Sequence, residues 1–158
     1  MKKTFTIFFL LISFLTKAQA PVNLDTEVAK TDINTLPYTI DGIVVRGFDG
    51  TNPPPRLSAP TRPLFYGYGI TAYFRGVDSL MFFTVEKLDA VHKSTTGEVI
   101  KTFPLSGARY TPAFKNYFVG LSNEEKARIY FENIYLKDKK GHYIKVDTEQ
   151  LFCPNCME

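Results

Sequence analysis

The stretch that decides the fold is Ala127-Arg-Ile-Tyr-Phe-Glu-Asn-Ile-Tyr-Leu136, followed by Asp138-Lys-Lys-Gly141 and His142 to Val146. Ile129 and Phe131 share one face of a strand, but Ile134 and Leu136 have the opposite parity. Strict alternation would send the two pairs to opposite faces. Either both faces are covered, or an extra residue near Glu132–Asn133 switches the phase as a bulge does, and the bulge is the favoured reading. Asp138 to Gly141 fits a four-residue turn with glycine at the positive-φ position. Ile144 and Val146 then return the core pattern on a second strand.

Working outward, Ser106-Gly-Ala-Arg-Tyr110 leads to Thr111-Pro112, where a threonine cap and a first-turn proline open a helix. Phe114, Tyr117, Phe118 and Leu121 follow at i, i+3, i+4 and i+7, one face of about two turns. A helix so short is unstable alone in water, so this aromatic face must dock on a sheet. Gly120 is the predicted stop, and Ser122 with Glu125 has the pattern of a capping box.

These residues carry a family resemblance. Ser-Gly-Ala-Arg-Tyr-Thr-Pro, a short helix, Arg-Ile-Tyr-Phe-Glu-Asn-Ile and a turn ending in Lys140-Gly141, where the family has Asp-Gly, resemble the C-terminal domain of the gliding-motility protein GldM. The resemblance covers roughly residues 80–147. It implies a β-rich cell-envelope module that contacts another protein, linked to gliding motility or type IX secretion. It does not imply a motor, because the chain has neither the length nor the membrane anchor of that family's full proteins.

Upstream, residues 1–18 read as a secretory signal: Lys2 and Lys3, then an apolar run from Phe5 to Leu15. That run is short of the ~20 residues that span a bilayer. Cleavage after Ala18 is preferred to cleavage after Ala20, which would leave Pro21 first. The full chain has 19 basic and 16 acidic residues; Lys2, Lys3 and Lys17 leave with the signal, so 16 of each remain. The mature chain therefore has no net charge to draw it to nucleic acid, and no stable membrane anchor is expected. The expected location is exported: periplasm, outer-membrane associated or extracellular.

Residues 19–37 are polar and aperiodic and are read as an extended lead-in. Residues 38–152 are read as one domain, and residues 153–158 as a tail. With nine Tyr, fourteen Phe and no Trp, and with short runs of β-branched and aromatic residues between turn signals, the class is mainly β. The expected architecture is an antiparallel β-sandwich with one short amphipathic helix. Tyr38 to Phe48 contains one strand, Leu64 to Phe74 another, and Met81 to Val85 a third. Val85 to His92 and Glu98 to Phe103 form a hairpin about Ser94–Gly97, with Pro104 ending it.

Chemistry-bearing candidates are few. Pro53, Pro54 and Pro55 mark a stiff loop or, alternatively, a docking peptide. Between Leu64 and Phe74, Tyr66, Tyr68 and Ile70 alternate with Gly67 and Gly69. Together with Tyr73 these tyrosines are either packed between sheets or a binding surface. Cys153 and Cys156 are read as a local disulfide fixing the tail. A redox role would need a helix after the first thiol, and zinc would need two more ligands, while His92 and His142 stand alone. No metal, cofactor or catalytic residue is assigned. The function expected is a non-catalytic protein–protein interaction module. The alternatives are a small-molecule or glycan-binding β-sandwich and a thiol-active protein working through Cys153 and Cys156.

Overall fold

A computed structural model describes residues 21–48, 69–77, 80–146 and 150–151. The chain is mainly β. Seven antiparallel strands are β1 (Ile43–Phe48), β2 (Gly69–Arg75), β3 (Leu80–Lys93), β4 (Val99–Ser106), β5 (Ile129–Lys137), β6 (Tyr143–Val146) and β7 (Gln150–Leu151). They form one bonded set in the order β1-β2-β3-β5-β6, with β4 joined to β3 and β7 to β5. A second, separately bonded sheet, as the sandwich expectation requires, is not found among the described residues. Instead β3 serves both halves. Its first residues, Leu80 to Phe83, pair with β2, and its later ones lie between β4 and β5. β1 comes to lie beside β7, so the sheet turns back on itself around one core.

The phase change in β5 is a bulge. Asp89 pairs with Glu132 but Lys87 pairs with Tyr135, so three steps on β5 match two on β3. Asn133 is the extra residue, held at φ +50, and its amide donates to the Asp89 carboxylate at 2.8 Å. Ile129, Phe131, Ile134 and Leu136 all reach the same core in consequence. A second bulge sits nearby. Val85 pairs with Leu136 and Lys87 with Tyr135, leaving Glu86 extra on β3. The two offsets cancel, and both strands move their apolar residues to the core face together: Phe83 and Val85 before Glu86, Leu88 and Ala90 after it.

The core gathers residues from every strand of that path, among them Ile43 and Val45, Ile70 and Ala72, and Ile144 and Val146. α2 (Pro112–Val119) is the expected amphipathic helix. The Thr111 hydroxyl accepts from the Phe114 N–H, and Pro112 opens the first turn. Phe114 and Phe118 are fully buried, with Tyr110 edge-on to Phe114 at 4.8 Å. Tyr117 and Leu121 pack at the margin. α3 (Asn123–Lys126) carries the capping box of Ser122 and Glu125. Gly97 and Gly141 hold φ +87 and +93 in the two hairpin turns, as their places in those turns demand.

Three expectations are corrected. The lead-in contains α1 (Leu24–Ala29), capped by Asn23, and a 3₁₀ turn over Ile33–Thr35. The run from Tyr38 becomes a strand only at Ile43, after a 3₁₀ turn over Ile40–Gly42. Pro104 does not end β4, which continues to Ser106. The Gly107 N–H donates to Glu86, so by the two-residue period the Pro104 nitrogen faces away from β3. Its missing donor falls on the outer edge, where a sheet tolerates proline.

The bulge yields a stability comparison. Asn133→Gly and Asn133→Val both lose the bond to Asp89, but only valine is strained at positive φ. Asn133→Val is expected to be less stable than Asn133→Gly by about 1–3 kcal/mol in urea unfolding.

Candidate functional site

Of the residues singled out from sequence for binding, Tyr73 alone is described. Tyr66, Tyr68, Pro53, Pro54, Pro55, Cys153 and Cys156 lie outside the described residues, as does the signal segment. Tyr73 sits on β2 opposite Val44 of β1 and Phe82 of β3, half-buried, its ring 6.3 Å from that of Phe82. Ile70 and Ala72, one step out of phase with it, are fully buried in the core. Ile70 and Tyr73 thus lie on opposite faces of β2, while Tyr66 and Tyr68 lie outside the described residues. Ile70, grouped by alternation with Tyr66 and Tyr68, points into the core, and Tyr73 points the other way.

The aromatic surface that the strands build instead lies on the outer side of β3, β5 and β6. The bulge leaves Tyr130, Tyr135 and Lys137 on that side of β5, while Lys145 and Tyr143 face Tyr135 and Lys137 across β6. From β3 come Lys87 and Lys93. Each tyrosine has an ammonium group over its ring. Lys93 lies 4.9 Å from Tyr130, Lys137 lies 4.7 Å from Tyr143, and Tyr135 has Lys87 at 5.9 Å and Lys145 at 5.6 Å. Tyr135 is 7% exposed; such pairs are worth ~0.5–1 kcal/mol when exposed and more when desolvated. Lys93 also bonds Glu132 at 2.8 Å. α1 rests against β6, and its Asp25 carboxylate accepts from the Tyr135 hydroxyl at 2.5 Å. Hydrogen bonding to Tyr143 holds the Lys137 pKa above the usual lysine range.

Two buried polar groups were not legible as sites. Asp138, in the β5–β6 turn, is 7% exposed. Its carboxylate accepts from the backbone N–H groups of Lys140 (2.8 Å) and His142 (2.9 Å), from the His142 ring (2.9 Å) and from the Tyr38 hydroxyl (3.1 Å). Burial opposes its ionisation, but these donors outweigh burial and hold its pKa below the ordinary 3.8. Burial and the adjacent carboxylate push Tyr38 up. The pair ties the lead-in to a turn 100 residues away. His142 is half-exposed and bound to this carboxylate.

His92, 2% exposed on β3, shares a 2.7 Å hydrogen bond through Nδ1 with the Tyr117 hydroxyl of α2. Its Nε2 and the Arg128 Nε are buried without hydrogen-bond partners among the described residues. Burial, and then the Arg128 guanidinium, push the His92 pKa below its ordinary 6.5, against a weaker pull from Glu125. Lys101 of β4 stands over the Tyr117 ring. Burial beneath the helix thus favours the neutral imidazole.

Among the described residues no three His, Cys, Asp or Glu side chains gather as metal ligands would, and no helix is long and apolar enough to cross a membrane. Comparison with protein-family models, with curated proteins and with solved structures finds no match.

Because the folded state disfavours the charged form of His92, the unfolded chain takes up a proton first as the pH falls. Its contribution to stability is complete above about pH 6.5 and declines below that, towards its lowered folded value, by at most about 1.4 kcal/mol per pH unit. Asp138 acts in a separate window. Its contribution is present above 3.8 and is lost as the pH falls through its depressed folded value. Urea midpoints of the wild type are expected to drop between about pH 7 and pH 5, and His92→Gln is expected to flatten that drop.

Proposed function

We propose that the chain is a non-catalytic protein–protein interaction module of the cell envelope, resembling the GldM C-terminal domain and linked to gliding motility or type IX secretion. Export by the signal-like residues 1–18 would place it in the periplasm, at the outer membrane or outside the cell.

The observation that carries this reading is the edge of β4. Among the described residues β4 has β3 as its sole partner. Val99 and Ile100 at its start are more than half exposed. β4 carries an extra residue at Ile100, since His92 pairs with Lys101 and Lys93 with Val99. A strand edge with unpaired backbone groups and adjacent apolar side chains is the surface on which an extended segment of another protein adds by strand pairing. The buried Asp138 carboxylate, and His92 through its Nδ1, are held in ties within the fold.

The test is capture of a partner from envelope extract by the immobilised mature chain, with Val99→Lys/Ile100→Lys as the control. Both residues are exposed, so the double variant should keep wild-type stability within about 1 kcal/mol. It should lose at least roughly tenfold in partner affinity, the scale of an interface anchor. Capture that is unaffected by the double variant, or no discrete captured species, counts against the reading.

A further inference from the structure

The outer face around Tyr135 supplies the chemistry of a partner, and this step rests on the interaction-module reading above. Lys87, Lys137 and Lys145 stand around the Tyr135 and Tyr143 rings, and Lys139 and Lys140 are exposed in the adjoining turn. Three carboxylates face this end of the sheet. Glu86, at the β3 bulge, and Glu27 act on Lys137, and Asp25 bonds Tyr135. Two of the three come from α1. That helix has six residues, none of them buried. Its described attachments here are the lean against β6 and the Asp25 bond. A helix of that length has little stability of its own, and with Leu24 and Val28 only half-buried it opens at lower cost than an element anchored in the core.

We propose that Lys87, Tyr135, Lys137, Tyr143 and Lys145 form a docking face for an acidic peptide segment of a protein partner, and that α1 covers it in the free chain, with Asp25 standing where a partner carboxylate binds. Charge complementarity sets the occupant. Lifting α1 removes two carboxylates, together with the Lys30 ammonium that pairs with Glu27, and leaves lysines around tyrosine hydroxyls, with Glu86 and the buried, hydrogen-bonded Asp138 as acids that stay at this end. Tyrosine hydroxyls and single ammonium groups suit carboxylates held one at a time. The planar fork with which arginine grips phosphate in two-pronged fashion is not part of this set. Displacement is an exchange of like for like: the incoming carboxylate takes over the Tyr135 bond that Asp25 gives up.

The experiment titrates a fluorescently labelled oligoglutamate peptide into the full mature chain and follows its anisotropy, with wild type, Asp25→Asn and Lys87→Gln/Lys145→Gln compared. Oligoglutamate is expected to bind the wild type with an affinity that falls as salt rises. Asp25→Asn should bind roughly three- to tenfold more tightly, because a competing hydrogen bond has been weakened. The double lysine variant should lose most of the binding. Urea midpoints confirm that each variant is folded. Failure of folded Asp25→Asn to bind more tightly than wild type overturns the proposal, as does the absence of binding by both. Equal binding by DNA or a sulfated polysaccharide at matched charge overturns the choice of an acidic peptide. Partner capture that survives the lysine variant while oligoglutamate binding fails would sink this proposal and leave the β4-edge reading standing. Loss of capture in the β4 variant with oligoglutamate binding intact leaves the docking face standing.

Discussion

The fold depends on one long strand keeping faith with two sets of neighbours. β3 pairs with β2 at its start and with β4 and β5 further along, and a strand of 14 residues would normally keep one parity throughout. The facing extra residues, Glu86 on β3 and Asn133 on β5, change that parity in both strands at nearly the same level. Phe83, Val85, Leu88 and Ala90 therefore all enter one core, and β5 follows with Ile129, Phe131, Ile134 and Leu136. With only one of the two, the strands would disagree about which face is buried, since a slip of one residue inverts every side chain beyond it. Bulges also bend and twist a sheet, which fits the approach of β1 to β7.

Much of this was legible locally. The opposed parities of Ile129/Phe131 and Ile134/Leu136 pointed to the bulge at Asn133, and Thr111-Pro112 with Phe114 and Phe118 gave α2 and its buried face. Turn glycines 97 and 141 stand where short-range rules put them. Other features were hidden because they depend on distant partners. The compensating bulge at Glu86 leaves the same change of parity between Phe83/Val85 and Leu88/Ala90, but Phe82 and Val91, apolar at the opposite parity, mask it. The passage of β4 through Pro104 depends on being at an edge, which no local pattern states. α1 has too few residues to show a period.

The same division holds for the surfaces. Tyr66 and Tyr68, before β2, lie outside the described residues. The Tyr130, Tyr135 and Tyr143 set on the outer face is encoded in plain view, as tyrosines and lysines at alternate positions around the β5–β6 turn. What sequence withheld was which face they shared, because the bulge and the pairing of Tyr135 with Lys145 decide it. His92 and Tyr117 are 25 residues apart, and Tyr38 and Asp138 are 100 apart. Neither pair announces itself in a linear reading, and each acts as a bolt between elements that hydrophobic packing has already brought together.

Pro104 gives the outer border of β4 a direction. Its ring nitrogen carries no donor, so on that border only its carbonyl stands between the outward N–H groups of Thr102 and Ser106. A ladder of identical molecules stacking border to border would need an unbroken row. One imino acid thus interrupts the row of donors along the rim, a break of the kind that discourages sheets from joining edge to edge.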